Sequence, residues 1–214
     1  MMATSPVESL SSGFILNIEL FFITLLLALP LGLVITFCSM SKFKPLKWLS
    51  RTFVWIIRGT PLMLQLFVVL YVPGLLFAMP ISSRFTAAVI AFVINYAAYF
   101  AEIYRSGIES IPKGQYEAAS VLGYNKNQTF FRIIFPQMVK RVLPPVTNEV
   151  ITLVKDTSLA FVLAYEEMFT VAKQIASART SIMPLFVAGV FYFIFNGVVA
   201  FAMERIEKKL SYYH

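Results

Sequence analysis

The longest polar stretch of this chain runs from Glu102 to Pro145 and reads EIYRSGIESIPKGQYEAASVLGYNKNQTFFRIIFPQMVKRVLPP. Good helix formers predict a short helix from Tyr116 to Leu122, and Gly123 is a natural helix stop. Asn125 to Thr129 is suited to capping a second short helix, which we expect Pro136 to end or kink. Two interpretations follow: a knob that inserts into a groove of a partner protein, or an amphipathic helix on a membrane surface.

The sequence outside this stretch is strongly apolar. Of its 214 residues, 58% are hydrophobic and 14% are charged, whereas globular domains average about 45–50% and 25%. We therefore predict one all-α polytopic membrane domain over residues 1–214. The single cysteine, Cys38, and the single histidine, His214, exclude an internal disulfide and a Cys/His zinc cluster. We expect no metal site and no enzymatic activity.

Five segments are long and apolar enough to span a membrane as helices, which takes about 20 residues each. Their approximate bounds are 14–40, 52–78, 85–104, 145–165 and 183–203. The second is interrupted by Arg58-Gly59-Thr60-Pro61, and the fourth is unusually polar. The first is too long for the hydrophobic region of a signal peptide and has no Lys or Arg before it. We therefore expect it to remain in the mature protein.

The net charge of +7 is unevenly distributed over the predicted loops. The loop after the first span, the segment 105–141 and the tail after the fifth span together carry thirteen Lys and Arg residues. The opposite side carries only Arg84, Lys173 and Arg179. Basic loops stay in the cytoplasm, so we predict an external N-terminus and a cytoplasmic C-terminus. This pattern explains the basic charge through membrane orientation, and we expect no nucleic-acid partner.

Within the polar stretch, one acidic residue and several small or apolar residues follow a fixed spacing: Glu117, Ala118, Ala119, Gly123, Ile133, Phe135 and Pro136. This pattern resembles the EAA loop of ABC importer permeases, in which Leu usually stands at the position of Phe135. The resemblance implies that residues 105–141 form a cytoplasmic coupling loop. Its short helices would dock into a cleft on an ATP-binding subunit and transmit the closure of that subunit to the pore.

Three further stretches are similar to the polar amino-acid branch of these permeases: RGTPLMLQLF at 58–67, AEIYRSGIESIPKGQ at 101–115 and NEVITLVKDTSL at 148–159. The similarity covers about 13–210 and implies the MetI-like fold, with five spans per subunit. It also implies a multi-pass location in a bacterial cytoplasmic membrane. The implied partners are a dimer of ATPase subunits, a second permease that is a copy or a homologue, an extracytoplasmic amino-acid-binding protein and membrane lipid.

The chain contains no G-x-x-x-x-G-K-[ST] phosphate loop. We therefore expect no cofactor in this chain, with ATP and Mg²⁺ bound by a separate ATPase. Under this interpretation Glu117 contacts a basic residue of the ATPase and Gly123 shapes the turn of the knob. The simpler alternatives are a solvated helix charge for Glu117 and an ordinary helix cap for Gly123.

The fourth span carries charged residues, each of which costs roughly 2.5–3.5 kcal/mol at a membrane centre. On a helix of 100° per residue, its polar residues fall within an arc of about 120°. These residues are Asn148, Glu149, Thr152, Lys155 and Asp156. One interpretation is that this face lines a translocation pathway, with Lys155 accepting an α-carboxylate and Asp156 or Glu149 an α-ammonium. The other is that Lys155 is neutralised by Glu149 or Asp156 and the cluster only joins helices.

The second span contains a further charge, Arg58, where Gly59 and Pro61 weaken the helix. Arg58 either pairs with an acidic neighbour or faces the pathway, and we favour the first role. Gln65 and Asn95 are expected to form hydrogen bonds between helices.

These features favour the permease subunit of an ATP-driven amino-acid importer. The alternative is a self-contained secondary transporter or channel, for which the internal repeat common in carriers is missing. A membrane enzyme would have to rely on Glu149, Lys155 and Asp156, where no nucleophile is evident. The outer loop 166–182 is a candidate contact for an external binding protein, without a specific signal.

Overall fold

A computed structural model describes residues 6–210. Nine α-helices follow one another along this range: α1 Pro6–Ser39, α2 Lys44–Arg58, α3 Leu62–Phe77, α4 Arg84–Glu109, α5 Lys113–Val121, α6 Lys126–Thr129, α7 Phe135–Asp156, α8 Met168–Arg179 and α9 Met183–Leu210. A π-helical turn, Phe130–Ile134, joins α6 to α7, and a 3₁₀ helix, Thr157–Leu163, follows α7. Residues 6–210 contain no strand, so the predicted all-helical class is confirmed for this range.

Three of the described helices, α1, α4 and α9, are long and apolar enough to cross a membrane. The pair α2 and α3 would make a fourth, but the two helices meet at a bend of 111°. Helix α7 is not apolar enough over its length to count as a span, since basic and acidic residues occur along it. The apolar sequence after Asp156 belongs to the 3₁₀ helix and not to α7. By length and composition the structure therefore supports three or four spans.

The bend between α2 and α3 follows from Pro61, which has no N–H and disfavours helical backbone in the residue before it. The side chain of Gln65 satisfies the freed groups: its Nε2 lies 2.8 Å from the Ile57 carbonyl oxygen and 3.1 Å from that of Thr60. Asn95 of α4 in turn donates to Gln65 Oε1 at 3.0 Å. The expected hydrogen bond between these two helices is thus present.

Helix α4 lies at the centre of the chain and packs along α1. The two backbones approach closely at Gly32, where a Cβ would lie 2.9 Å from Phe100 Cβ and 3.1 Å from the Ala97 carbonyl oxygen. Thr36 donates to the carbonyl oxygen of Ala101 across the same interface at 3.0 Å. This close packing fixes α1 and α4 as a common support for the other helices.

The polar stretch after α4 forms two short helices at a sharp turn. Helix α5 ends before Gly123, whose φ of +77° lies in the left-handed region that favours glycine. The side chain of Asn125 accepts from the backbone N–H of Gln128, and the side chain of Gln128 accepts from that of Asn125. This capping box starts α6, as the sequence predicted.

Of the two effects expected at Pro136, an end or a kink of the second short helix, the end is not observed. Helical backbone continues from Lys126 to Asp156, and Pro136 lies in the first turn of α7. The π-helical turn before it explains the difference, because its wider hydrogen-bond spacing accommodates a residue that has no N–H to donate. The coupling segment is therefore continuous with the helix that carries the polar face.

Helices α4 and α7 are joined near the start of α7. A Cβ at Gly107 would lie 2.2 Å from Val142 Cγ1, so only glycine allows this approach. Arg141 donates to the carbonyl oxygen of Ser110 at 2.5 Å and to its Oγ at 3.1 Å. The side chain of Arg141, on α7, thus caps the C-terminal end of α4.

Candidate functional site

The polar face of α7 borders a cavity of about 340 Å³. The other walls are the middle of α4 and the break between α2 and α3. The lining residues are Thr60, Pro61, Leu62, Asn95, Tyr96, Tyr99, Glu149, Thr152 and Asp156. The helix break contributes the start of α3, where backbone N–H groups lack partners within the helix and carry partial positive charge.

The structure divides the predicted polar face into two parts. Glu149, Thr152 and Asp156 line the cavity, whereas Asn148 and Lys155 are exposed and lie outside its lining. At 100° per residue, the first three lie at the edge of the arc that packs toward α4, and the other two lie at the opposite edge. A pathway role for Asn148 and Lys155 stays a prediction.

The described residues show no ion pair within 4.0 Å between Lys155 and either Glu149 or Asp156. Asp156 instead accepts a hydrogen bond of 2.7 Å from the hydroxyl of Tyr96. Tyr96 was missed at the sequence level, since nothing distinguishes it from the many other aromatic residues of the predicted spans. Its hydroxyl joins the middle of α4 to the C-terminal end of α7.

Arg58 lies beside Tyr99, a residue of the cavity lining, but is not itself in that lining. Its guanidinium is 5.3 Å from the centre of the Tyr99 ring, and its Nη1 is 3.8 Å from Glu102 Oε1. It therefore has the acidic neighbour that the structural interpretation required. Arg58 also borders a second cavity of about 250 Å³, together with Ser39, Arg51, Val54, Trp55, Ala101, Glu102 and Arg105.

A network of charges extends from Glu102 toward α5. Arg105 donates to both carboxylate oxygens of Glu102, at 2.5 and 3.1 Å, and to Glu109 at 2.6 Å. Arg51 of α2 lies 4.0 Å from Glu109. The short bonds lie within α4, and the pairs that connect α2 to α4 are the longer ones.

A different polar cluster surrounds Glu167, which is fully buried (0% exposed) at the start of α8. Its carboxylate accepts from the backbone N–H groups of Phe169 and Thr170, each at 2.7 Å, and from the Thr170 hydroxyl at 2.9 Å. Asn17 of α1 donates to it at 3.3 Å and Tyr192 of α9 at 3.2 Å. Burial raises the pKa of the Glu167 carboxyl, and the hydrogen bonds from Phe169, Thr170 and Asn17 oppose that rise.

Asn17 extends the cluster to the 3₁₀ helix. Its Nδ2 lies 3.1 Å from Thr157 Oγ1 and 3.0 Å from the Tyr192 hydroxyl, and its Oδ1 accepts from the Met168 N–H at 3.0 Å. Thr157 directly follows Asp156 of the cavity. Sequence reasoning missed this cluster, although a lone amide within an apolar span is itself a signal for a buried partner.

The coupling loop residues occupy one exposed end of the chain. Glu117, Ala118, Gly123 and Pro136 are exposed, Ile133 is half-buried, and Ala119 is buried. Apolar side chains are also exposed beside them: Val121 is 88%, Leu122 72% and Phe131 65% exposed. A cavity of about 450 Å³ lies between α5 and the π-helical turn, bordered by Tyr116, Ser120, Tyr124, Lys126, Thr129 and Phe130.

Residues 28–212 match the family described as binding-protein-dependent transport system inner membrane component. The chain is 36% identical to the L-cystine transport system permease protein TcyB of Bacillus subtilis (strain 168), over 95% of this chain and 87% of that protein. It is 33% identical to the arginine transport system permease protein ArtQ of the same organism, over 98% of this chain and 96% of that protein.

Two solved structures of ABC transporters also match this chain. An amino acid ABC transporter crystallised with histidines matches with a TM-score of 0.85 and 32% identity, over 94% of each chain. The MetNI methionine ABC transporter in an inward-facing conformation matches with a TM-score of 0.75 over 96% of this chain and 95% of its own. At 17% identity, the second match supports the fold alone.

Proposed function

The chain belongs to the family of binding-protein-dependent transport system inner membrane components, and from this premise we propose how it moves its substrate. It is the permease subunit of an amino-acid importer of the ABC type. The single observation that carries the mechanism is the cavity between α4, α7 and the helix break, lined by Glu149, Thr152 and Asp156. This cavity holds the amino acid as it crosses the membrane.

The lining supplied by this chain contains two carboxylates and neither Lys nor Arg. Asp156 and Glu149 therefore take the α-ammonium group, and a positively charged side chain gains a further attraction. The α-carboxylate lies at the start of α3, where unpaired N–H groups and the helix dipole favour an anion, as at other broken helices in transporters. Lys155 lies outside the lining of this cavity, so this proposal gives the α-carboxylate to the start of α3, and a pathway role for Lys155 stays a separate prediction.

Transport in proteoliposomes tests this site. The importer is assembled with its ATPase and its external binding protein, and uptake of labelled L-arginine, L-histidine, L-cystine and L-glutamine is measured. We expect Asp156→Asn to lower the uptake rate at least tenfold and Glu149→Gln about threefold, with basal ATP hydrolysis kept. Lys155→Gln is the matched control and is expected to stay within twofold. Unchanged rate and preference in both acidic variants would refute the site.

The knob formed by α5, α6 and the π-helical turn docks into the ATPase, which binds ATP and Mg²⁺. Support comes from its exposed apolar residues beside the exposed carboxylate of Glu117. A tagged chain is expected to co-purify with the ATPase, and Glu117→Arg to reduce the amount recovered at least fivefold. Glu166→Gln, on an exposed residue outside the knob, is the control. Full recovery with both Glu117→Arg and Leu122→Ser would contradict this docking surface.

The subunit spans the bacterial cytoplasmic membrane five times, with α7 and the following 3₁₀ helix as the fourth span. The N-terminus is outside, the C-terminus is cytoplasmic, and a second permease, identical or homologous, completes the pathway. The basic residues support this orientation. In a Cys38→Ser background, Lys173→Cys should react in intact cells with a membrane-impermeant thiol reagent, whereas Asn127→Cys should not. The reverse pattern would overturn the orientation.

The secondary transporter and channel are not favoured, because relatives over nearly the full chain are ABC permeases. ATP dependence separates the two classes directly. Uptake that continues in proteoliposomes without the ATPase subunit would restore the alternative.

A further inference from the structure

Helix α8 and the coupling knob lie at opposite ends of α1. Met168 of α8 packs in one cluster with Leu10, whereas Phe37 near the other end of α1 contacts Phe130 of the π-helical turn, with ring centres 5.5 Å apart. The cavity that contains Asp156 lies between these two ends. A route from a protein bound on α8 to this cavity therefore leads through the segment between α8 and α7.

The cluster around Glu167 supplies a direct connection along this route. Glu167 accepts from the first backbone N–H groups of α8, so it is fixed to that helix. Its Oε2 also lies 3.3 Å from Asn17 Nδ2, which lies 3.1 Å from Thr157 Oγ1. Thr157 in turn donates to the Val154 carbonyl oxygen at 2.8 Å. Two side chains thus join the start of α8 to the residue that follows Asp156.

We propose that Glu167 is a positioning residue that makes α8 and the segment around Asp156 move together, so that a binding protein docked on α8 changes the geometry of the substrate cavity. This inference rests on the proposed function, in which Asp156 meets the substrate. Packing alone allows helices to slide, whereas a displacement of α8 here breaks the hydrogen bonds that Asn17 makes with the Glu167 carboxylate and with the Met168 N–H in a buried place. Contiguous hydrogen-bond networks of this kind can carry coupling between distant sites.

The exposed side of α8 fits a protein partner with an acidic patch. The helix contains no Asp or Glu, and Lys173 and Arg179 are both exposed on it. Lys173 lies over the Phe161 ring of the 3₁₀ helix, with its Nζ 5.6 Å from the ring centre. The docking surface is therefore in contact with the same 3₁₀ helix that follows Asp156.

The test measures ATP hydrolysis by the complete importer in proteoliposomes. Hydrolysis is compared without the binding protein and with the binding protein after incubation with L-arginine, L-histidine, L-cystine or L-glutamine. The readout is the ratio of stimulated to basal hydrolysis. Glu167→Gln keeps the size of the side chain but replaces one acceptor oxygen with a donor that faces Asn17. We expect it to lower the ratio at least fivefold while basal hydrolysis stays within twofold. The matched control is Glu166→Gln, on an exposed neighbour, and it should change neither quantity.

A purely structural role for Glu167 predicts that both rates fall in proportion, and an unchanged ratio would overturn the inference. If Glu167→Gln does not assemble, Tyr192→Phe removes a single donor to the carboxylate and is expected to lower the ratio at least twofold; an unchanged ratio overturns the inference there too. In the double variant Asn17→Asp/Glu167→Gln, residue 167 becomes the donor and residue 17 the acceptor of the hydrogen bond between them. This variant should recover at least half of the wild-type ratio of stimulated to basal hydrolysis.

Different outcomes would contradict the proposed function and the inference about Glu167. If the wild-type importer shows no stimulation by any loaded binding protein, or if Asp156→Asn and Glu149→Gln both transport normally, the fault lies with the assigned function or site. A normal ratio in Glu167→Gln, beside a transport defect in Asp156→Asn, refutes only the inference about Glu167.

Discussion

The two ends of this bundle hold their carboxylates in opposite ways. At the α8 end, Glu167 is fully buried and accepts from backbone and neutral side-chain donors of three helices. At the α5 end, Glu102 and Glu109 remain partly exposed and are paired with arginines. Directional bonds to several elements fix one end, whereas charge pairs screened by water hold the other. The comparison indicates that hydrogen bonds attach α8 firmly to the bundle, whereas the ion pairs add little to the apolar packing of α2 on α4.

The largest effect is expected at the buried end. Glu167→Ala removes the acceptor of several buried donors, and a hydrogen bond to a charged group contributes about 1.5–3 kcal/mol. We expect the free energy of unfolding in detergent to fall by roughly 3 kcal/mol, on the scale of one or two such bonds. The neighbouring Glu166→Ala should change it by less than about 0.5 kcal/mol. Equal effects of the two variants would remove the distinction between the ends.

An intermediate effect is expected for Arg105, which is bound within α4 to Glu102 and Glu109. Arg105→Ala removes the partner that Glu102 and Glu109 share on one helix face, but water reaches both carboxylates. We expect a loss of about 1 kcal/mol, as for a well-formed but partly exposed pair. Chemical denaturation of the purified chain measures it, with Arg132→Ala on the exposed π-helical turn as control. A loss as large as that of Glu167→Ala would show that charge pairs fix this end equally well.

The smallest effect is expected for the pair between α2 and α4. Arg51 lies 4.0 Å from Glu109, and both are about half exposed. Arg51→Gln should therefore cost less than about 0.5 kcal/mol. Added salt at about 1 M, where the screening length is about 3 Å, should abolish the difference from wild type. A difference that persists in high salt would mean that Arg51 supports the bundle through packing.

Features that depend on short sequence separations were predictable. The stop at Gly123 and the capping box from Asn125 to Gln128 were accessible because glycine and asparagine determine backbone conformation within a few residues. For Pro136 the sequence left an end or a kink open, and the end is excluded only by the π-helical turn that precedes it. The hydrogen bond between Gln65 and Asn95 was predicted from their polarity within apolar spans.

The candidate site was only partly predictable, because it depends on how helices face one another. The helical arc grouped Lys155 with Asp156, and only the rotation of α7 against α4 separates them. Tyr96 carries no signal of its own until the structure places its hydroxyl beside Asp156. Asn17 and Glu167 lie 150 residues apart, so their contact depends on the packing of α1 against α8.

The side chain of Gln65 has a consequence for how the protein is made. A bent segment enters the bilayer with backbone groups that have no helical partner, and each unsatisfied group in hydrocarbon costs several kcal/mol. Here the acceptors at Ile57 and Thr60 are reached by Gln65, only eight and five residues away. The carbonyl groups freed at the bend are therefore satisfied by a side chain of the same α2–α3 segment. Biosynthetic insertion of α2 and α3 need not wait for α4, whose Asn95 joins afterwards.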